Sequence, residues 1–132
     1  TYHVPVLNPP VVFSRDLTVG VREGGTVTHA ALQIAWYMGF TEVVIIGMDH
    51  RFTYQGAPHE TRFLDGPDPN HFSADYFGNQ TWDNPDLARS EASYAEARRV
   101  YEETGRRILD ATLGGACQIF KKADYRQVFD VN

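Results

Sequence analysis

The run Glu42-Val43-Val44-Ile45-Ile46 constrains the fold more than any other stretch of this 132-residue chain. Four consecutive β-branched apolar residues leave no polar face, the pattern of a central parallel strand covered on both sides. One short loop upstream, Val27, Ala31, Ile34, Ala35 and Met38 recur at helical spacing and predict a helix that buries that face. Thr26 is placed to cap this helix, its hydroxyl accepting from an N–H of the first turn. Gly39 stands where a helix ends in a left-handed residue. Helix, short loop and buried strand make half of a βαβ unit.

The remaining segments are consistent with an α/β domain. "VPVLNPPVVF" holds three prolines and reads as extended chain or an edge strand, never as helix. "SRDLTVGVREGG" reads as a polar, glycine-punctuated loop. A second long helix is predicted near Pro85, with Asn84 as cap, Pro85 at the first helical position and Gly105 at the end. Its buried face is Leu87, Tyr94, Ala97 and Tyr101. "RRILDAT" is a predicted strand, "ACQIF" a short edge strand and "KADYRQVF" a final helical turn or two. This order predicts a three-layer α/β domain with a mainly parallel sheet, spanning residues 1–132 as one domain.

Residues 50–84 break the pattern. They carry seven aromatics (Phe52, Tyr54, Phe63, Phe72, Tyr76, Phe77, Trp82), too many for a disordered segment, so the stretch reads as an ordered lid or binding loop. Composition excludes some classes. A formal charge of −5 argues against a general nucleic-acid binder but not against a local anion site made from backbone N–H groups. Cys117 is the only cysteine, so an intrachain disulfide and a cysteine-rich zinc site are both out. A reducing, cytoplasmic setting is the expectation. No apolar run approaches the roughly 18 residues of a membrane span, and no signal-peptide pattern opens the chain. It starts on Thr1 rather than an initiator Met, which leaves open an excised fragment with part of a site outside it.

Three constellations can carry chemistry. Gly24-Gly25-Thr26 opens the first helix, where free N–H groups and the helix dipole favour a phosphate or carboxylate. The bland reading is a glycine turn with a threonine cap. Asp49 and His50 follow the strand "VVIIGM" at its carboxyl end, where parallel sheets place ligands; the bland reading is a capped turn. "NHFSADYFG" brings His71, Asp75 and Tyr76, all capable of acid–base work, among aromatics; the bland reading is an aromatic plug. Asp49, His50, His59, His71 and Asp75 also have the residue types of a zinc or manganese hydrolase site, though without HxxxH or HxH spacing.

"GGTVTHAALQIAWYMGFTEVVIIGMDHRF", "NHFSADYFG" and "YEETGRRILDATLGG" together resemble a Rossmann-like superfamily with two enzyme groups. These are the bacterial sialyltransferases of glycosyltransferase family 42 and the archaeal 6-hydroxymethylpterin diphosphokinases with their relatives. The resemblance runs from about Asn8 to Phe129 and implies the C-terminal part of such a domain, or a shortened version. It implies that Gly24, Gly25 and Thr26 approach the phosphate of a nucleotide-sugar donor, with Asp49 and Tyr54 also nucleotide-binding; His50 at the strand end and Tyr76 in the aromatic loop join them from the reading of the residues themselves. The family's catalytic histidine falls four residues after a His-aromatic pair like His71-Phe72; here that position is Asp75. His71 and Asp75 are therefore the two candidates for the base. The implied function is glycosyl transfer from a small nucleotide donor to an unknown acceptor, with nothing tightly bound and Mg²⁺ left open. Diphosphate transfer, a metal-dependent hydrolase and a non-catalytic interaction domain are the alternatives.

Overall fold

A computed structural model describes residues 3–7, 10–71 and 73–130. Its elements are β1 (Val6–Leu7), β2 (Val21–Arg22), α1 (Val27–Tyr37), β3 (Glu42–Ile45), β4 (Thr61–Phe63), β5 (Thr81–Asp83), α2 (Leu87–Glu103), β6 (Arg107–Asp110), β7 (Lys121–Lys122) and α3 (Tyr125–Val128). The protein is thus a mixed α/β structure with short strands. The chain gathers into two compact units, one of Thr1–Asp49 with Ala88–Asn132, the other of His50–Leu87.

In the first unit β3, β6 and β7 form a parallel sheet in that order, with Glu42 opposite Arg107 and Ile45 opposite Asp110. The central strand is therefore β6, not β3. Val43, Val44 and Ile45 are only half-buried and Ile46 is exposed, because β3 lies at the sheet edge among the described residues. β1 and β2 pair in parallel as a separate two-stranded sheet, so part of the predicted loop 14–25 is strand. Ala116–Phe120 is not a strand; the third parallel strand falls on the two lysines after it.

Both helices end in the same way. Gly39 and Gly105 adopt left-handed backbone conformations. Phe40 N–H then reaches Ala35 O and Gly39 N–H reaches Trp36 O, while Arg106 N–H reaches Tyr101 O and Gly105 N–H reaches Glu102 O. This is the Schellman arrangement, which satisfies the last carbonyls of a helix. At the other end of α1, Thr26 Oγ1 accepts from Thr28 N–H at 3.3 Å, as predicted for a cap. α2 begins two residues after Pro85, and the Asn84 amide donates instead to Gln55 O and Ala57 O.

The face that α1 buries is not the predicted one. Val27 is 83 % exposed and Met38 66 %, while His29, Leu32 and Gln33 are buried. The reason lies in the Gln33 amide. Its Oε1 accepts from Ser14 N–H and Arg22 N–H at 2.9 Å each, and its Nε2 donates to Arg22 O and His29 O. A buried glutamine with its amide this fully engaged carries little burial penalty and ties the connecting backbone to the helix. Phe13 packs edge-on to His29, Trp36 and Tyr101. With Leu32, Tyr94, Ala97, Val100, Ile108, Cys117 and Phe120 it forms the core.

The second unit is built on the antiparallel pair β4–β5, with Thr61 opposite Asp83 and Phe63 opposite Thr81. Trp82 turns inward from β5 and packs against Phe77 and His71. Among the described residues no helix is long and apolar enough to cross a membrane.

Candidate functional site

The glycine pair before α1 has a packing role. Gly24 has φ +63°, and a Cβ there would come within 2.6 Å of both His29 Cδ2 and Ser93 Oγ. Its carbonyl accepts from the Ser93 hydroxyl at 2.6 Å, so α2 is seated directly against the entrance to α1. A Cβ on Gly25 would meet the stem of Arg89 at 3.0 Å, which places the start of that cationic side chain beside the first turn. Thr26 Oγ1 also shares a hydrogen bond with Tyr94 OH at 3.2 Å. The bland reading of this turn is thus met in full, and the arginine stem adds a feature it does not require.

A second feature of the same unit lies beyond the carboxyl ends of β3 and β6. Ile46, Gly47, Asp49, Ala111, Thr112, Leu113 and Tyr125 line a crevice of about 260 Å³. Gly47 has φ +73° and nothing within 4 Å of where a Cβ would stand, so its backbone is open to a ligand. The walls are pinned from behind. Met48 N–H donates to Thr112 Oγ1, and Ala116 N–H donates to Asp49 O. Beneath them Asp110 is buried and accepts from Lys122 Nζ at 2.6 Å and from Thr112 N–H. Burial pushes the Asp110 carboxyl up, but the Lys122 and Thr112 hydrogen bonds outweigh it and hold the carboxyl below its ordinary range. Asp49 is exposed at the crevice wall. His50, next in the chain, has φ +49°, a conformation uncommon outside glycine.

In the second unit the residues around His71 form an ordered cluster. Its Nδ1 lies 2.6 Å from Asp68 Oδ2, and the Asp68 side chain is only 1 % exposed. Asp68 also accepts from Asn70 N–H at 2.8 Å and from Phe77 N–H at 3.2 Å. Burial pushes this carboxyl up; the hydrogen bonds from Asn70, His71 and Phe77 more than offset it, leaving the group below its ordinary range. An ionised Asp68 has only lone pairs to offer, so the hydrogen of this contact sits on His71 Nδ1. Tyr76 stacks on the ring at 4.6 Å and 13°, and Phe77 meets it edge-on.

Of the residues singled out in sequence, Gly24, Gly25 and Thr26 stand together, Asp49 lines the crevice, and His71 and Tyr76 stand together. Asp75 is exposed and makes no side-chain hydrogen bond or ion pair among the described residues. Tyr54 is half-buried in the second unit and is not one of the rings packed on His71. Phe72 lies outside the described residues. Three residues escaped the sequence reading: Asp68, Thr112 and Tyr125. For Asp68 a signal existed, since Asp-Pro-Asn-His has turn-favouring residue types that bring positions i and i+3 together. Among the described residues no group of three or more His, Cys, Asp or Glu is placed to hold a metal ion. No family model, curated protein or solved structure matches this chain.

Proposed function

We propose that the protein is a Rossmann-like transferase that uses a nucleotide or nucleotide-sugar donor, with sialyltransferase-like glycosyl transfer as its reaction. The observation that carries this reading is the hydrogen bond between buried Asp68 and His71. A carboxylate that fixes the tautomer of a partly exposed imidazole is the arrangement of a general base and its orienting partner. It favours His71 over Asp75 as the group that takes the proton of an acceptor hydroxyl, because among the described residues no side-chain hydrogen bond or ion pair positions the exposed Asp75 carboxylate. The aromatic contacts of Tyr76 and Phe77 keep the imidazole from rotating. In the first unit, taken by itself, two features suit a nucleotide donor. The parallel order β3-β6-β7, with α2 in the connection from β3 to β6 and a helix-free connection from β6 to β7, is compatible with a Rossmann-like sheet there, and the carboxyl ends of its strands are the general ligand position. The start of α1 and the adjacent Arg89 stem suit a leaving phosphate.

Two measurements on the whole chain test the reading. CMP, UDP, GDP, ATP and CMP-sialic acid are screened by thermal shift; a donor at a hundredfold excess over its Kd stabilises by about 2.7 kcal/mol. Transfer from the stabilising donor is then compared with that of Asp68→Asn. That variant keeps the shape but loses the charge that fixes the tautomer, and kcat is expected to fall about 10²–10⁴-fold. No stabilisation by any of the five, or undiminished transfer by Asp68→Asn, would sink the proposal.

A further inference from the structure

From Val27 to its cap Met38, α1 contains no Asp, Glu, Lys or Arg, and its exposed positions Val27, Ala31, Ile34 and Tyr37 are all apolar or aromatic. A helix face turned to water ordinarily carries charge. Val27, Ala31, Ile34 and Met38 follow one another at intervals of four, three and four residues. That is the spacing of a coiled-coil seam, the pattern by which one helix packs on another. The exposure of Val27, Ile34 and Met38 shows that no other described element covers this seam.

We propose that the seam joins two copies of the chain, each α1 lying antiparallel on the other. The choice of occupant follows from spacing, size and charge. The intervals read the same in both directions, so an antiparallel copy keeps register: Val27 meets the second copy's Met38, and Ala31 meets its Ile34. At the centre of the seam a small side chain then faces a large one, which leaves no gap. A parallel copy stacks Ala31 on Ala31 and leaves one. The antiparallel arrangement is isologous, with a two-fold axis crossing between Ala31 and Ile34, and it opposes the two helix dipoles. The flanking Thr28, Ala30, Ala35 and Tyr37 are uncharged as well, so no like charges meet along the seam despite the net charge of −5 on each copy. The 11 residues of α1 span about 16 Å, too short to supply the ~800 Å² that each partner gives a standard interface. The dimer is accordingly weak and reversible, with a Kd of about 10–100 µM. It needs neither donor nor transfer, so it stands or falls apart from the transferase reading.

Sedimentation velocity of the full chain from about 1 to 500 µM is expected to show monomer passing into dimer. Val27→Glu and Met38→Lys each bury an unpaired charge twice in the symmetric dimer, and each is expected to weaken it at least about a hundredfold. Both positions are exposed in the single chain, and each new charge suits its end of the helix dipole. Dilute, monomeric samples of both variants are therefore expected to keep the wild-type circular dichroism. Mixed in equal amounts, the two variants are expected to associate again, because the new carboxylate faces the new ammonium across an antiparallel seam. In a parallel seam the two never meet. A chain that stays monomeric throughout the range, a dimer untouched by folded variants, or a mixture that does not reassociate overturns the inference.

Discussion

Gln33 and Asp68 show how much a single buried polar side chain decides in this protein. Replacing Gln33 by Leu looks like an improvement to a core helix. Here it strips partners from Ser14 N–H, Arg22 N–H and Arg22 O, and about 2–4 kcal/mol of destabilisation is expected in urea unfolding. A neutral or stabilising Gln33→Leu would mean those backbone groups find other partners. Asp68 does the equivalent for His71, engaging one ring nitrogen and fixing the ring's place in the turn. Neither role is visible in a count of apolar positions, because both depend on backbone groups that fold in from distant turns. The charge-bearing atoms were named in sequence only where a motif placed them, as with His71.

At the level of elements, the ends were legible and the faces were not. Thr26, Gly39 and Gly105 each set a boundary through local geometry: a hydroxyl cap or a left-handed residue needs only its neighbours. Which face of α1 turns inward depends on what the rest of the chain presents, and the polar His29 and Gln33 won over Ala31 and Ile34. Periodicity alone assigns that helix the wrong side. The correction makes a signed prediction. Val27 sits in the first turn and is 83 % exposed, so Val27→Glu places a negative charge at the positive end of the helix. A gain of about 0.3–1 kcal/mol is expected by chemical denaturation. A loss above about 2 kcal/mol would instead show that Val27 is buried, as periodicity suggested. The strand Glu42–Ile45 repeats the lesson. Its β-branched run predicted a strand correctly, but not its place at the edge of the sheet.

Over the whole molecule, buried titratable groups set the response to acid. Burial lowers the affinity of His29 for a proton, against the pull of Val12 O, Ser93 O and the Glu96 carboxylate. A group depressed in the folded state contributes stability that is full above its unfolded value of 6.5 and is lost as pH falls through its folded value. Asp68 and Asp110, also depressed, hold their contributions above their unfolded value of 3.8 and lose them below it. The urea midpoint is therefore expected to fall in two stages, one beginning below pH 6.5 and another in the carboxylate range. A midpoint flat from pH 7 to 5 would show that His29 is protonated as easily folded as unfolded. His29→Gln should abolish the first stage alone.

The pairing of Glu42 with Arg107 joins strands 65 residues apart in sequence. Nothing local rewards that closure until the sheet forms, so it weighs on the rate of folding more than on the final balance. The antiparallel β4–β5 pair closes over 22 residues from within the same connection. The shorter connection loses less entropy on closing, so this pairing is the less costly of the two to close.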